Sequence, residues 1–311
     1  MERLIACVAS AILRLVRRLP EGVSLAIGAA AGHVGYYLLH RRRRIALRNL
    51  AIAFGREKGP RERRRIARAA FRNAGLVAVD LARLPLLTLE RARAKIRIDG
   101  LDRIAAVRER GLGVLALSAH LGSFELIAAG INRLGLLRCS LVGKRVRNER
   151  LDRIVVSLRE TCGVASIPPE GAIREVLRRV RRNEAVGFVL DQNFRHGVFV
   201  NFFGVPARTA QGLAFLARRS GAPVVPFFAV RDARDWRRHT IHVGPEIPYE
   251  RGATDEEEAL LNTQRYTSAI EAFVRRFPEQ WFWAHDRFRS RPREEAGIPP
   301  VPARRPPDPP P

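Results

Sequence analysis

The stretch Gly113-Val-Leu-Ala-Leu-Ser-Ala-His120-Leu-Gly-Ser-Phe-Glu125-Leu-Ile changes period in its middle, and that change decides the fold. Gly113 to Ser118 is a short, unbroken run suited to a strand buried on both faces. From Phe124 to Leu134 the apolar residues recur every three or four positions, which is the pattern of a helix. A buried strand therefore passes into a helix through a turn holding His120, Gly122 and Ser123, with Gly122 for the bend and Ser123 as a cap. Residues five apart on one helix point about 140° away from each other. His120 and Glu125 can meet only if the histidine lies in the turn, before the helix begins. A carboxylate beside an imidazole orients it and raises its basicity, as general-base chemistry requires. A carboxylate in the first turn of a helix also stays ionised. A histidine in a turn also fits a purely structural role, but the carboxyl end of a sheet strand is where α/β folds place their sites.

Working outward, the same alternation repeats. Arg61 to Leu87 reads as helix, Lys95–Ile98 as strand, Cys139–Val142 as strand, and Glu149–Glu160 and Ala172–Arg182 as helices. Ala185–Leu190 is a second buried-type strand, followed by helix Gly212–Arg219 and strands Pro223–Val230 and Thr240–Val243. A long helix, Asp255–Phe277, closes the series. The fold expected is α/β, a mixed central sheet with helices on both faces. Residues 45–290 form this domain.

The first 44 residues differ. An apolar stretch from Leu4 to Leu13 precedes Arg14, Arg17 and Arg18, and a 19-residue stretch from Gly22 to His40 without Lys, Arg or acid ends in Arg41-Arg42-Arg43-Arg44. A spanning helix needs about 20 apolar residues, and Gly, Ala and Ser dilute the second stretch. Two membrane-associated helices, amphipathic or shallowly inserted with arginines at headgroup level, fit the pattern. The alternative is a small-residue helix pair packed on the domain. At the other end, nine of the chain's 20 prolines fall between Pro292 and Pro311, so 291–311 reads as a disordered tail.

Charge narrows the partners. With 56 Lys+Arg against 31 Asp+Glu the formal net charge is +25, and all but Lys58, Lys95 and Lys144 of the basic residues are arginine. Part of that skew reflects coding composition; the rest is a surface that attracts polyanions, whether nucleic acid, acidic carrier proteins or anionic lipid. Nucleic-acid binding expects basic clusters interleaved with stacking aromatics, yet the arginines are spread along the helices and aromatics make up 7%. The three cysteines share no metal-ligand spacing and fit a reducing compartment.

The central segment resembles the H-x4-D/E motif of the lysophospholipid acyltransferase superfamily. The chain as a whole is similar to one branch, the late acyltransferases of lipid A biosynthesis (lauroyl/myristoyl transferases). The similarity rests on Arg42-Arg43-Arg44-Ile-Ala-Leu-Arg-Asn49-Leu-Ala-Ile-Ala-Phe54, Asn148-Glu-Arg-Leu151-Asp152, and Glu184-Ala-Val-Gly-Phe-Val-Leu-Asp191-Gln192. It continues through Val200-Asn-Phe202-Phe203-Gly204-Val-Pro-Ala207-Arg-Thr209, Gly221-Ala-Pro-Val-Val-Pro226 and Pro278-Glu-Gln280-Trp281-Phe-Trp283-Ala-His285, spanning roughly residues 12 to 292 in the same order.

The resemblance implies acyl transfer from acyl carrier protein or acyl-CoA to a hydroxyl of a membrane lipid, at the cytosolic face of the inner membrane. No cofactor or metal is implied. His120 would act as general base with Glu125 holding it, and no covalent acyl-enzyme is needed, in keeping with the absence of a Ser or Cys nucleophile motif. The oxyanion would be met by backbone N–H groups around Gly122 and by a family arginine, for which Arg174 is the best positional match. Asp191 matches a functionally important acid, Gln192 adjoins it, and Lys144 stands where the branch usually has an arginine. Asp286 likewise replaces a common basic residue. Phe199, Phe202 and Phe203 fit either an acyl pocket or a core strand. Pro169-Glu170-Gly171 superficially resembles the phosphate-binding block of glycerolipid acyltransferases but continues Ala-Ile-Arg instead of Thr-Arg-Ser. Another glycolipid, an aminolipid or a lysophospholipid are the alternative acceptors.

Overall fold

The computed structural model of the chain describes residues 2–290, so the tail proposed for 291–311 lies outside the described residues. In chain order the elements are α1 (Glu2–Arg18), α2 (Glu21–Leu38), α3 (His40–Phe54), α4 (Pro60–Arg83), α5 (Leu89–Lys95), β1 (Ile96–Asp99), α6 (Leu101–Glu109) and β2 (Val114–Ser118). There follow α7 (Glu125–Arg133), β3 (Cys139–Val142), α8 (Glu149–Glu160), β4 (Ala165–Ile167), α9 (Ala172–Val180), β5 (Ala185–Val189), β6 (Val198–Phe202) and β7 (Val205–Thr209). The last are α10 (Gly212–Ser220), β8 (Val224–Arg231), β9 (His239–Val243) and α11 (Asp255–Arg276).

Seven strands form one mixed sheet in the order β1-β9-β8-β2-β5-β3-β4. All neighbours are parallel except β8 and β9, so β1 and β9 run against the other five. β2 is central and buried along its whole length. Its side chains alternate: Leu115 and Leu117 join the core with Phe188, Phe228, Trp281 and Trp283, while Val114 and Ala116 join the opposite one with Ile127, Ile131 and Phe227. A parallel strand covered on both faces must be apolar throughout, which is why Gly113–Ser118 is legible in the sequence.

Helix ends follow local chemistry. Asn148 caps α8 by accepting from the N–H groups of Arg150 and Leu151, and Thr254 caps α11 by accepting from that of Glu257. Four acids open α11 and Arg275 and Arg276 end it, matching the helix dipole. The segment holding Phe199, Phe202 and Phe203 is the β6–β7 hairpin, outside the main sheet; Phe202 and Phe203 are buried in the core while the guanidinium of Arg208 covers the ring of Phe199.

The packing of α2 shows why its sequence is so rich in glycine and alanine. Gly28 and Gly32 of α2 lie against the backbone of Gly75, Phe71 and Arg72 on α4, close enough that a β-carbon at any of the three glycines would strike a backbone carbonyl oxygen. The other face of α2 leaves Val23, Ile27, Val34, Tyr37 and Leu38 exposed, and α1 exposes Ile5, Val8, Ile12 and Leu15 as one stripe. Among the described residues no single helix is long and apolar enough to cross a membrane; α2 and α3 meet that measure only as a pair bent by 89°.

Candidate active site

Register brings the site together. Ser118, the last residue of β2, pairs with Val189, the last of β5. Two residues beyond each, His120 and Asp191 therefore emerge side by side at the same edge of the sheet. His120 Nδ1 lies 2.8 Å from Asp191 Oδ1, and the backbone N–H of His120 donates to Asp191 Oδ2 at 2.9 Å. The indole Nε1–H of Trp281 donates to the same oxygen at 2.7 Å. Asp191 is buried, whereas a quarter of the His120 side chain is exposed. With Nδ1–H donating to the carboxylate, the Nε2 lone pair is left as an acceptor, and the Gln192 amide nitrogen lies 3.2 Å from it. The Phe124 ring packs edge-on against the imidazole, centroids 4.9 Å apart.

The electrostatics follow from this pairing. Burial alone would lower the His120 pKa, but the charge and hydrogen bond of Asp191, with the charge of Glu125, outweigh it and the net direction is upward from 6.5. Burial would raise Asp191, and the charge and hydrogen bond of His120, with the Trp281 bond, turn it downward. The imidazole is a strengthened base beside a carboxylate that stays ionised. His285, whose Nε2 accepts from the N–H of Asn193 at 3.0 Å, is moved the other way, chiefly by burial.

Glu125 does not hold His120. Its two oxygens take Arg159 of α8, Oε1 from one terminal nitrogen at 2.6 Å and Oε2 from Nε at 2.9 Å. The pair is largely buried, with a fork geometry that fixes the guanidinium. The expectation that Glu125 orients the imidazole is corrected accordingly: the strand register puts Asp191 on Nδ1, and the helix start turns Glu125 toward α8. The backbone N–H groups near Gly122 are also committed, that of Gly122 to Gln280 O at 2.9 Å and that of Ser123 to Ala229 O at 3.0 Å. Arg174 lies exposed on α9 beside Arg178, Arg181, Arg182 and Arg219, lining a surface groove away from this cluster. Lys144 is exposed in the loop after β3. Neither forms a hydrogen bond among the described residues with His120, Glu125 or Asp191; Arg159 is the guanidinium at Glu125. Pro169–Gly171 is the turn before α9, and Asp286 forms an ion pair with Arg48.

The model of the family described as bacterial lipid A biosynthesis acyltransferase matches residues 2–290. The chain belongs to this family. It is accordingly an acyltransferase. It is 28% identical over 290 residues to the lipid A biosynthesis palmitoleoyltransferase of Escherichia coli (strain K12), covering 92% of each chain. It is 25% identical over 284 residues to the lipid A biosynthesis lauroyltransferase of the same organism, covering 90% of each. A shorter similarity, 30% over 176 residues, links it to the phosphatidylinositol mannoside acyltransferase of Mycobacterium tuberculosis (strain CDC 1551 / Oshkosh), covering 54% of this chain and 55% of that one.

Several residues of the candidate site carry no sequence signal of their own. Arg159 is one of six arginines from 138 to 159 and nothing in its spacing singles it out. Arg287 is fully buried, donates to the carbonyls of Gln192 (3.3 Å) and Arg208 (2.6 Å) and to Thr209 Oγ1, and covers the Phe202 ring. Burial lowers its pKa to about 10. Trp281 was legible as part of a block but not as a ligand of Asp191.

Gly122 carries a testable constraint. Its φ is +55°, and a β-carbon there would collide with the carbonyl of Ala229. Gly122→Ala is expected to cost at least about 1–3 kcal/mol for the backbone conformation alone. That lowers the thermal midpoint by a few degrees or more in a chain this size. A midpoint equal to wild type by calorimetry would show that the turn is not held as described.

Proposed function

We propose that this acyltransferase moves a fatty acyl group from an acyl thioester, on acyl carrier protein or coenzyme A, to a hydroxyl of a lipid A precursor or related glycolipid. The observation that carries the reading is the His120–Asp191 pair: the carboxylate holds Nδ1, and Nε2 is left as an acceptor on a partly exposed ring, beside the Gln192 amide. Nε2 takes the proton of the acceptor hydroxyl as its oxygen attacks the thioester carbonyl. The new C–O bond forms, the carbonyl oxygen becomes an oxyanion, and the C–S bond then breaks. The leaving thiolate takes the proton back from the imidazolium, which Asp191 stabilises meanwhile. Arg159, fixed by Glu125, supplies a cation for the oxyanion, and the Gln192 amide is a second donor. Cys139 is no competing nucleophile, since burial pushes its thiol up to about 12.

The exposed apolar stripes of α1 and α2, followed by Arg41–Arg44, seat the enzyme on the cytosolic leaflet of the inner membrane, where its acceptor resides. Flotation with vesicles should recover the protein with anionic lipid and lose it when Ile12 and Leu15 are both changed to Glu. Equal flotation of the variant would contradict the seat. The acidic carrier protein is drawn by the positive surface, so its use weakens as salt rises.

The deciding experiment is mass spectrometry of lipids after incubation of detergent-purified protein with acyl carrier thioesters. A Kdo-bearing lipid A precursor, a mannosylated phosphatidylinositol and a lysophospholipid are offered side by side, with His120→Ala as control. An acyl-sized gain on the first, lost in the variant, supports the reading. The name of the mycobacterial relative favours the mannosylated lipid as the second acceptor to try. A gain on the lysophospholipid alone would overturn the proposed acceptor class.

A further inference from the structure

Three residues after His120, the hydroxyl of Ser123 enters a buried polar cluster that the transfer chemistry above does not use. Ser123 Oγ donates to Asp80 Oδ2 of α4, and Arg231 at the end of β8 donates to the same oxygen. Arg231 also reaches Ser123 Oγ at 2.9 Å and the carbonyl of Trp236. His239, paired with Arg231 in the β8–β9 register, brings Nε2 to 3.6 Å from Asp80 Oδ2. All four side chains are at least nine-tenths buried. A second set of bonds closes a ring with the first. The Gln280 side chain accepts from the N–H of Arg231 and donates to its C=O, both at 2.9 Å, while the Gln280 carbonyl accepts from the N–H of Gly122. The turn between His120 and Glu125 is thus gripped through both its backbone and its one hydroxyl.

A buried ion pair adds little net stability over apolar residues of the same volume, and its better-attested use is to fix one arrangement among several. Here the arrangement at stake is the turn, whose two ends carry His120 toward Asp191 and Glu125 toward Arg159. We propose that Asp80, Ser123 and Arg231, with Gln280, are positioning residues that set the register of this turn and so the separation of the base from the Arg159 cation. The inference rests on the proposed function for its kinetic consequence, though its geometric consequence stands alone.

Ser123→Ala removes one hydroxyl and leaves the Asp80–Arg231 pair in place. In the full chain the expected result is a fall in kcat of about tenfold or more, as small misplacements of reacting groups produce. KM for the thioester stays within about twofold, and the thermal midpoint falls by only a few degrees. The His120 imidazole, which faces Asp191, Glu125, Arg159 and His285, is followed by NMR titration with His120→Ala for assignment. Its midpoint should move down in Ser123→Ala as the Asp191 contact loosens. Asp80→Asn, which keeps size and one acceptor oxygen, should move kcat and the titration in the same direction. A kcat within about twofold of wild type, or an unmoved titration with activity lost only in proportion to folded protein, overturns the proposal. Because the titration needs no substrate, a wild type inactive on every acceptor but with a Ser123-dependent His120 midpoint would fail the proposed function and leave the positioning role standing.

Discussion

Replacing His120 with alanine is expected to lower acyl transfer by about 10²–10⁴-fold, the usual contribution of a positioned general base, or about 2.7–5.5 kcal/mol of barrier. The fold should survive. The His120 side chain is partly exposed and its backbone N–H still reaches Asp191 Oδ2 in the variant. The measurement is single-turnover transfer from an acyl thioester with circular dichroism and thermal melting alongside. Residual turnover above about 1% of wild type in well-folded protein would assign the proton transfer to another group. The thioester's KM should change little, because the imidazole meets the acceptor hydroxyl and not the chain.

Asp191→Asn is expected to be nearly as damaging, by a different route. In the wild type Oδ2 receives two donors, Trp281 Nε1–H and the backbone N–H of His120. Those donors would hold the single oxygen of an asparagine in the same place, turning its NH₂ toward Nδ1. The imidazole would then accept at Nδ1 and carry its proton on Nε2, the tautomer unable to act as base. Losses of up to about 10⁴-fold accompany such a tautomer change in a His/acid pair. A pH profile separates this from simple disruption. In the proposed mechanism the neutral imidazole is the active form, and its pKa is raised above 6.5 by Asp191. The wild-type rate should therefore climb with pH through a midpoint above 6.5, and the limb should move to lower pH in Asp191→Asn, where burial is left to dominate. An unmoved limb, or wild-type activity in the asparagine variant, would remove Asp191 from the proposed mechanism.

What could be read from the sequence depended on whether a signal was local. β2 and β5 are unbroken apolar runs, and the observed bounds of β3 and α8 coincide with the predicted ones. The helix at Ala172–Arg182 ends two residues sooner than expected, at Val180. Short elements escaped: β4 has three residues, and α5 and α6 are brief, charged helices without a long apolar repeat. α3 escaped because its first turn is mostly arginine. The partner of His120 was hidden for a different reason. His120 and Asp191 are 71 residues apart, and only the pairing of Ser118 with Val189 makes them neighbours. Glu125, five residues away, is the partner that spacing suggests, and a local reading prefers it. The Arg159 contact was unreadable for the same reason, since it joins two helices on one face of a sheet whose strand order no short motif encodes.

The contacts of Gly122 and Asp191 have a consequence for biosynthesis. The turn after β2 is tied down by Ala229, Gln280 and Trp281, so the contacts that fix it cannot form until those residues have been made. The N-terminal helices α1 and α2 are made long before those residues. His120 thus gains its full set of partners, Asp191 and the segment of Gln280 and Trp281 behind it, only once nearly the whole described chain has been made.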